Sequence, residues 1–326
     1  MPEPEVHHIA VPTPFLVGTV NAYLLVGEPL TLVDTGPNLG TSLLALEQGL
    51  ALHGVSVEQL ELILLTHQHS DHIGLSSVLQ ERSGARLGAF APLTSWLADY
   101  PASAAADDDY ARALMACHGL SEELIAAQAA TSFTARAFGS SGMVTDPLQD
   151  GSLVVAGGRE WQVQHRPGHS PSDLLFYDLD GGLVLGGDHL MSSVASNAIL
   201  SRPLTEAAWP GQRPRPLIDY RRSLAATAQL PEGILIRPGH GPVVCAHRDL
   251  ISERLRVHER RARKIARTLA AEPMNAHQIA IAMWGRMAIT QAPLMISEVL
   301  GHLDLLCSQG RVVEEDQDGK TTFRLA

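Results

Sequence analysis

Ten residues constrain this chain more than any others: LTHQHSDHIG (65–74) sets His67, His69, Asp71 and His72 directly behind the apolar run LELILL. A short apolar run closed by polar residues reads as a buried strand, and a turn at its end aims several side chains into one pocket. Imidazole and carboxylate together suit zinc and other borderline divalent ions. Three histidines and one aspartate in six residues exceed what one tetrahedral ion takes, because sequence neighbours cannot all face one point. Two ions are expected.

The surrounding pattern is that of an α/β protein. NAYLLVG (21–27), LTLVDTG (30–36) and LELILLTH (60–67) read as strands, with the helical spacing of TSLLALEQGLALH (41–53) between the last two. SLVVAG, REWQVQHRPG, DLLFYD and GGLVLGGD make a second strand-rich stretch over 152–188, and ILIRPGHG (234–241) a last strand. Helices inserted at 92–137 separate the halves, and a proline-rich loop at 203–216 precedes the helix LIDYRRSLAATAQL. From 247 a charged helix runs to Pro273; a helix capped by Asn275, a helix over about 293–309 and a hairpin turning at Asp318 and Gly319 follow. The expected organisation is a catalytic domain, 1–246, and a winged-helix-like domain, 247–326.

Three further polar residues stand at strand ends beside glycine: His169 in RPGHS, Asp188 in LGGDH and His240 in RPGHG. Glycine there lets backbone approach closely. With these seven in order, the chain resembles the metallo-β-lactamase superfamily, whose hallmark is HxHxDH followed by a lone His, a lone Asp and a last His, over roughly residues 7–250. The resemblance implies an αββα sandwich. It assigns His67, His69 and His169 to one metal, Asp71, His72 and His240 to a second, and Asp188 to both. It implies two zinc ions per chain, or another divalent pair, roughly 3.5–4 Å apart with a bridging hydroxide as nucleophile, which Asp71 orients. Asp34 in LVDTG matches the family's first motif and would support a ligand histidine from behind; the alternative is a turn-capping aspartate before Gly36.

Departures narrow the branch. Where flavodiiron members carry Glu, this chain has His69, which favours a zinc hydrolase. Asp188 points toward the glyoxalase II, lactonase and nuclease branches, while Met191 replaces the tyrosine of quorum-signal lactonases. The arginine-rich helix followed by a small winged helix resembles the branch that includes a mitochondrial single-strand endoribonuclease. The insertion departs from that branch, and serves either as a lid lined by residues such as Trp96 and Tyr100, with Leu97, Leu114 and Met115 adding apolar surface, or as an ordinary decoration or homodimer surface.

Charge separates the readings. The chain carries 24 Lys+Arg against 35 Asp+Glu, and the excess of acid lies before residue 247. An acidic body repels polyanions, so nucleic acid is an unfavoured partner. No basic start with an apolar run marks a signal peptide, no apolar stretch reaches membrane length, and Cys117, Cys245 and Cys307 form no CxxC. The expectation is a cytoplasmic, metal-dependent hydrolase of a small acyl substrate, a thioester or other carboxyl ester or lactone. An endoribonuclease is the alternative, and a ligand-sensing DNA-binding regulator stands third.

Overall fold

Apolar runs buried on both faces set the architecture of the computed structural model, which describes residues 5–178, 181–205, 213–317 and 319–326. Six strands form one sheet in sequence order: β1 (Val6–Val11), β2 (Val20–Leu25), β3 (Thr31–Val33), β4 (Leu62–Leu64), β5 (Arg86–Phe90) and β6 (Asp146–Leu148). The second sheet is ordered β11-β10-β9-β8-β7, from β7 (Leu153–Ala156), β8 (Arg159–His165), β9 (Leu174–Asp178), β10 (Leu183–Gly187) and β11 (Leu235–Pro238). Residues alternate between faces along a strand. Tyr23, Leu25, Val33, Leu62 and Leu64 accordingly meet Trp161, Val163, Phe176 and Leu185 between the sheets. Leu24, Leu32 and Ile63 face the other way, toward α1 (Gly40–Ala51), α2 (Ser70–Ile73), α3 (Ser76–Ser83) and α4 (Leu93–Ala98). On the far side, Leu175, Val184 and Ile236 pack against residues of α7 (Pro216–Thr227) and the start of α8 (His247–Thr268). The layers are helix, sheet, sheet, helix, as the resemblance implies.

β2, β3, β4 and β7 to β11 fall where the apolar runs place them. β1, β5 and β6 carry weaker signals (VHHIAV, RLGAF, DPL) and owe their strand state to pairing with neighbours: β1 antiparallel to β2, β5 and β6 parallel to β4 and β5. Position 318 and residues 206–212 lie outside the described residues, and with them Asp318 of the expected turn and part of the expected proline-rich loop.

The insertion forms α4, α5 (Tyr100–Cys117) and α6 (Glu122–Ala135). Asp99 caps α5 by accepting from Ala102 N at 3.2 Å. An 18-residue helix spans roughly 27 Å, so α5 reaches well past the site at its N-terminal end. Its far half corrects an expectation: Leu114 and Met115 are buried with Ala262, Ile265, Ile279, Val299 and Leu303 of the C-terminal helices and offer no surface to a substrate. Leu97 is buried too, in the core beneath the first sheet. After α8 come α9 (Ala276–Trp284), α10 (Met287–Thr290), α11 (Ala292–Ser308) and the antiparallel pair β12 (Val312–Gln317) and β13 (Lys320–Leu325). Asn275 and Gln278 form a reciprocal capping box at the start of α9. Among the described residues no helix is long and apolar enough to cross a membrane.

Candidate metal centre

All seven expected ligands come from one edge of the sandwich. β3 and β4 run parallel, and so do β10 and β11; β8, antiparallel to β9 as β9 is to β10, shares the direction of β10. Their C-terminal ends deliver Asp34 after β3, His67 after β4, His169 beyond β8, Asp188 after β10 and His240 after β11. His69 precedes α2, which carries Asp71 and His72. Strands that run in one direction thus gather residues distant in sequence by ending in one place.

Three groups of ligand atoms result, each closing within 4.8 Å: His67 with His69 and His169; Asp71 with His72 and His240; and His67 with His72 and Asp188. The first two are the sets that the resemblance assigns to separate metals. Asp188 links them, with Oδ2 3.5 Å from both His169 Nε2 and His240 Nε2 and Oδ1 3.5 Å from His72 Nε2. Asp71 Oδ2 lies 3.2 Å from His240 Nε2.

The outer ring nitrogens are fixed from behind. Asp34 Oδ2 accepts from His72 Nδ1 at 2.8 Å, Asn197 O from His169 Nδ1 at 3.0 Å and Thr19 O from His240 Nδ1 at 2.7 Å. Thr66 Oγ1, 3.0 Å from His67 Nδ1, donates onward to Asp34 Oδ2. With Nδ1 donating outward, Nε2 is the atom aimed inward, and its lone pair serves a metal once any proton there is displaced. His69 presents Nδ1 instead, 3.0 Å from His67 Nε2 and 2.9 Å from His169 Nε2. His72 Nε2 and Asp188 Oδ1 are buried with no hydrogen-bond partner. Lone pairs so close together, with buried orphan atoms beside them, suit a divalent cation.

Protonation agrees with that fit. Burial, then neighbouring imidazoles, hold His67 well below the usual histidine range, and burial lowers His69 to about 4. Burial also works against charge on His72, yet the carboxylates of Asp34, Asp188 and Asp71 outweigh it and raise this imidazole. His72 of the metal-free protein therefore keeps its proton at neutral pH and yields it on loading. Apparent zinc affinity is expected to rise by about one log unit per pH unit between pH 6 and 8 for that displaced proton. Calorimetry in buffers of different ionisation enthalpy checks it.

Two glycines make the geometry possible. A Cβ on Gly239 would lie 2.3 Å from Asp188 Oδ1 and 2.7 Å from His72 Cε1. At Gly74, which closes α2, it would meet the backbone atoms Asn38 N and Phe138 O at 2.2 Å. Gly74→Ala is expected to cost about 3 kcal/mol, because those atoms belong to two other segments and cannot yield separately. The urea midpoint reports it.

A cavity of about 240 Å³ opens on His69, walled by Trp96, Tyr100, Ala104 and Leu200 with Asp107, Asp108, Arg136 and Arg202. Trp96 and Tyr100 stand where the lid reading puts them. The four charged residues had no signal in the sequence, since they come from helices and a loop without ligand-like spacing. His189 is buried with Nε2 2.9 Å from Thr227 Oγ1, and Met191 is buried packing.

Comparison with known proteins agrees with this geometry. The family model described as "Metallo-beta-lactamase superfamily" matches residues 16–247. A curated protein of Bacillus subtilis (strain 168), "Probable metallo-hydrolase YqjP", is 32% identical over 321 residues, 97% of this chain and 96% of its own. Among solved structures, metallo-beta-lactamase family protein TTHA1429 from Thermus thermophilus superposes with TM-score 0.81 at 28% identity over 98% of both chains. A beta-lactamase domain protein from Burkholderia ambifaria gives TM-score 0.81 at 26% identity, over 98% of this chain and 91% of that one. By family match, relatives and converging His/Asp set together, the chain belongs to the metallo-β-lactamase superfamily and is a metallo-hydrolase of it.

Proposed function

We propose that the chain is a dinuclear zinc hydrolase acting on a thioester or another activated carboxyl ester, lactones included. The observation that carries this reading is the linkage of two ligand sets by Asp188, with His69 of one set lining a walled cavity. His67, His69 and His169 would hold one ion, Asp71, His72 and His240 the other, and Asp188 both. Bound there, the ions supply Lewis acidity, bringing the pKa of a water toward neutrality and polarising the substrate carbonyl.

The chain's own residues do the rest. Burial acts against charge on Asp71, but His72 and His240 outweigh it and hold the carboxyl well below its usual range. Asp71 thus stays ionised and able to orient a water by accepting a hydrogen bond from it. Trp96, Tyr100 and Leu200 exclude solvent and bury the acyl portion, worth roughly 25 cal/mol per Å² of apolar area. Burial raises the phenol of Tyr100 to about 12, and its hydroxyl donates to Arg136 O at 3.1 Å. Tyr100 is therefore no general acid, which suits a thiolate leaving group that needs little protonation.

The nuclease and regulator readings find less support. Arg254 donates to Met191 O and Val194 O, Arg261 pairs with Glu298, and Arg256 and Arg260 share Glu253, so four basic residues of the arginine-rich helix are engaged within the protein, while Arg263, Lys264 and Arg267 stay exposed. α11, the helix that would enter a DNA groove, is buried along most of its length. We read the C-terminal unit as packing, and the three free cysteines as fitting a cytoplasmic enzyme. Zinc-loaded protein assayed against thioesters, lactones and single-stranded RNA is expected to hydrolyse an acyl substrate and to lose that activity with a chelator. Cleavage of RNA without acyl hydrolysis overturns the assignment.

A further inference from the structure

Resting on the acyl-hydrolase reading, we propose that the cavity beside His69 takes a substrate bearing an anionic group, a carboxylate or a phosphate, received by the free guanidinium edges of Arg202 and Arg136. Two acid–base pairs line that cavity. Asp107 Oδ1 accepts from Arg202 Nε at 2.6 Å, and Asp107 Oδ2 from Trp96 Nε1 at 3.0 Å. Asp108 Oδ1 accepts from Ser132 Oγ, and Asp108 Oδ2 from Nε and Nη2 of Arg136. Each of the four carboxylate oxygens is thereby engaged.

What remains is a surplus of donors. Among the described residues Arg202 is bonded through Nε alone, so its two Nη groups stand together as an end-on fork; Arg136 keeps Nη1. Both guanidinium groups are partly exposed, hence reachable. A planar fork held on its other edge by an aspartate is pre-organised for bidentate binding of a carboxylate or phosphate. His69, one of the metal set, lines the same cavity, together with Trp96, Tyr100 and Leu200. The arrangement suits an acyl compound with a charged end on the arginines and its carbonyl at the metal centre. The acidic body of the protein repels free anions, so fixed donors inside a walled cavity are what make an anionic substrate admissible. Arg202, with the larger free edge, sets the specificity.

The test compares S-glutaryl-N-acetylcysteamine with its neutral S-pentanoyl counterpart, using zinc-loaded wild type, Arg202→Gln, Arg202→Lys and the remote control Arg222→Gln. In parallel, calorimetry measures binding of glutarate and of inorganic phosphate to the metal-free proteins. Wild type is expected to prefer the glutaryl thioester by about tenfold in kcat/KM, mainly through KM, with Arg202→Gln erasing the preference and Arg202→Lys keeping part of it. Arg222→Gln is expected to leave the ratio as in wild type. Equal use of both thioesters, or equal loss on both in Arg202→Gln, overturns the anion site while the hydrolase reading stands. If neither thioester is hydrolysed, the acyl reading fails for them and the calorimetry decides this proposal alone. Glutarate or phosphate bound by wild type and not by Arg202→Gln supports it, the tighter of the two naming the anion; no difference overturns it.

Discussion

Asp188→Ala is expected to hold about one zinc per chain against an expected two in the wild type, and to lose about 10³-fold in kcat/KM. Asp188 is the carboxylate that approaches histidines of both sets, at 3.5 Å from His169 and His240 through one oxygen and from His72 through the other. Without it the set of His67, His69 and His169 keeps three nitrogens, enough for one ion. The other set keeps Asp71 as its one carboxylate and loses the second, which neighbours both His72 and His240. The backbone is expected to survive, since the Ser196 hydroxyl bonds the main-chain oxygen of Asp188, which alanine retains. Elemental analysis after saturation with zinc and gel filtration gives the stoichiometry. Two ions retained in the variant, or one in the wild type, would sink the linking role. His258→Ala serves as the control: this histidine is buried beside Tyr220 and His302, away from the site, and its loss leaves both ions in place.

The seven clustered residues were legible in the sequence because four come as HxHxDH behind an apolar run and the other three stand beside glycine at strand ends. Strands that end together bring such residues together whatever the connections between them. What was not legible depends on packing between segments far apart. Leu114 and Met115 read as surface for a substrate because α5 is apolar on one side; only the docking of α9 and α11 shows which partner takes that side. The same docking makes α8 serve two cores, Ile251 against the second sheet and Ile265 against the C-terminal helices, which no composition shift at 247 discloses. Arg202 and Arg136 carry no sequence signal, because a single arginine in a loop or helix has no spacing to read. Their meaning comes from Asp107 and Asp108 across the cavity.

Asp34 presents the case where sequence left two roles open and the structure gives both to one side chain. Its φ of 60° and burial make it part of the turn after β3, yet its carboxylate does more than cap. Oδ1 accepts from Thr66 N at 2.8 Å, and Oδ2 from Thr66 Oγ1 and His72 Nδ1, both at 2.8 Å. Asp34→Ala is expected to cost about 3–5 kcal/mol, because it strands three buried donors and places alanine at a left-handed φ. Such a loss by itself cannot separate folding from ligand positioning. Asp34→Asn does so. Asparagine tolerates the positive φ and its carbonyl can still accept from Thr66 N. The amide NH2 then faces His72 Nδ1, which has to become an acceptor, and the ring proton moves to Nε2, the inward atom. A proton there opposes the metal directly. The expected result is a fold within about 1–2 kcal/mol of wild type together with a loss of about 10–100-fold in affinity for one of the two ions. Urea denaturation read beside a zinc titration against a competing chelator separates the two quantities. Unchanged affinity for both ions in a well-folded Asp34→Asn protein would reduce Asp34 to a turn residue and leave the orientation of His72 to the backbone, where its carbonyl accepts from Thr35 N at 2.8 Å and from Thr35 Oγ1 at 2.9 Å.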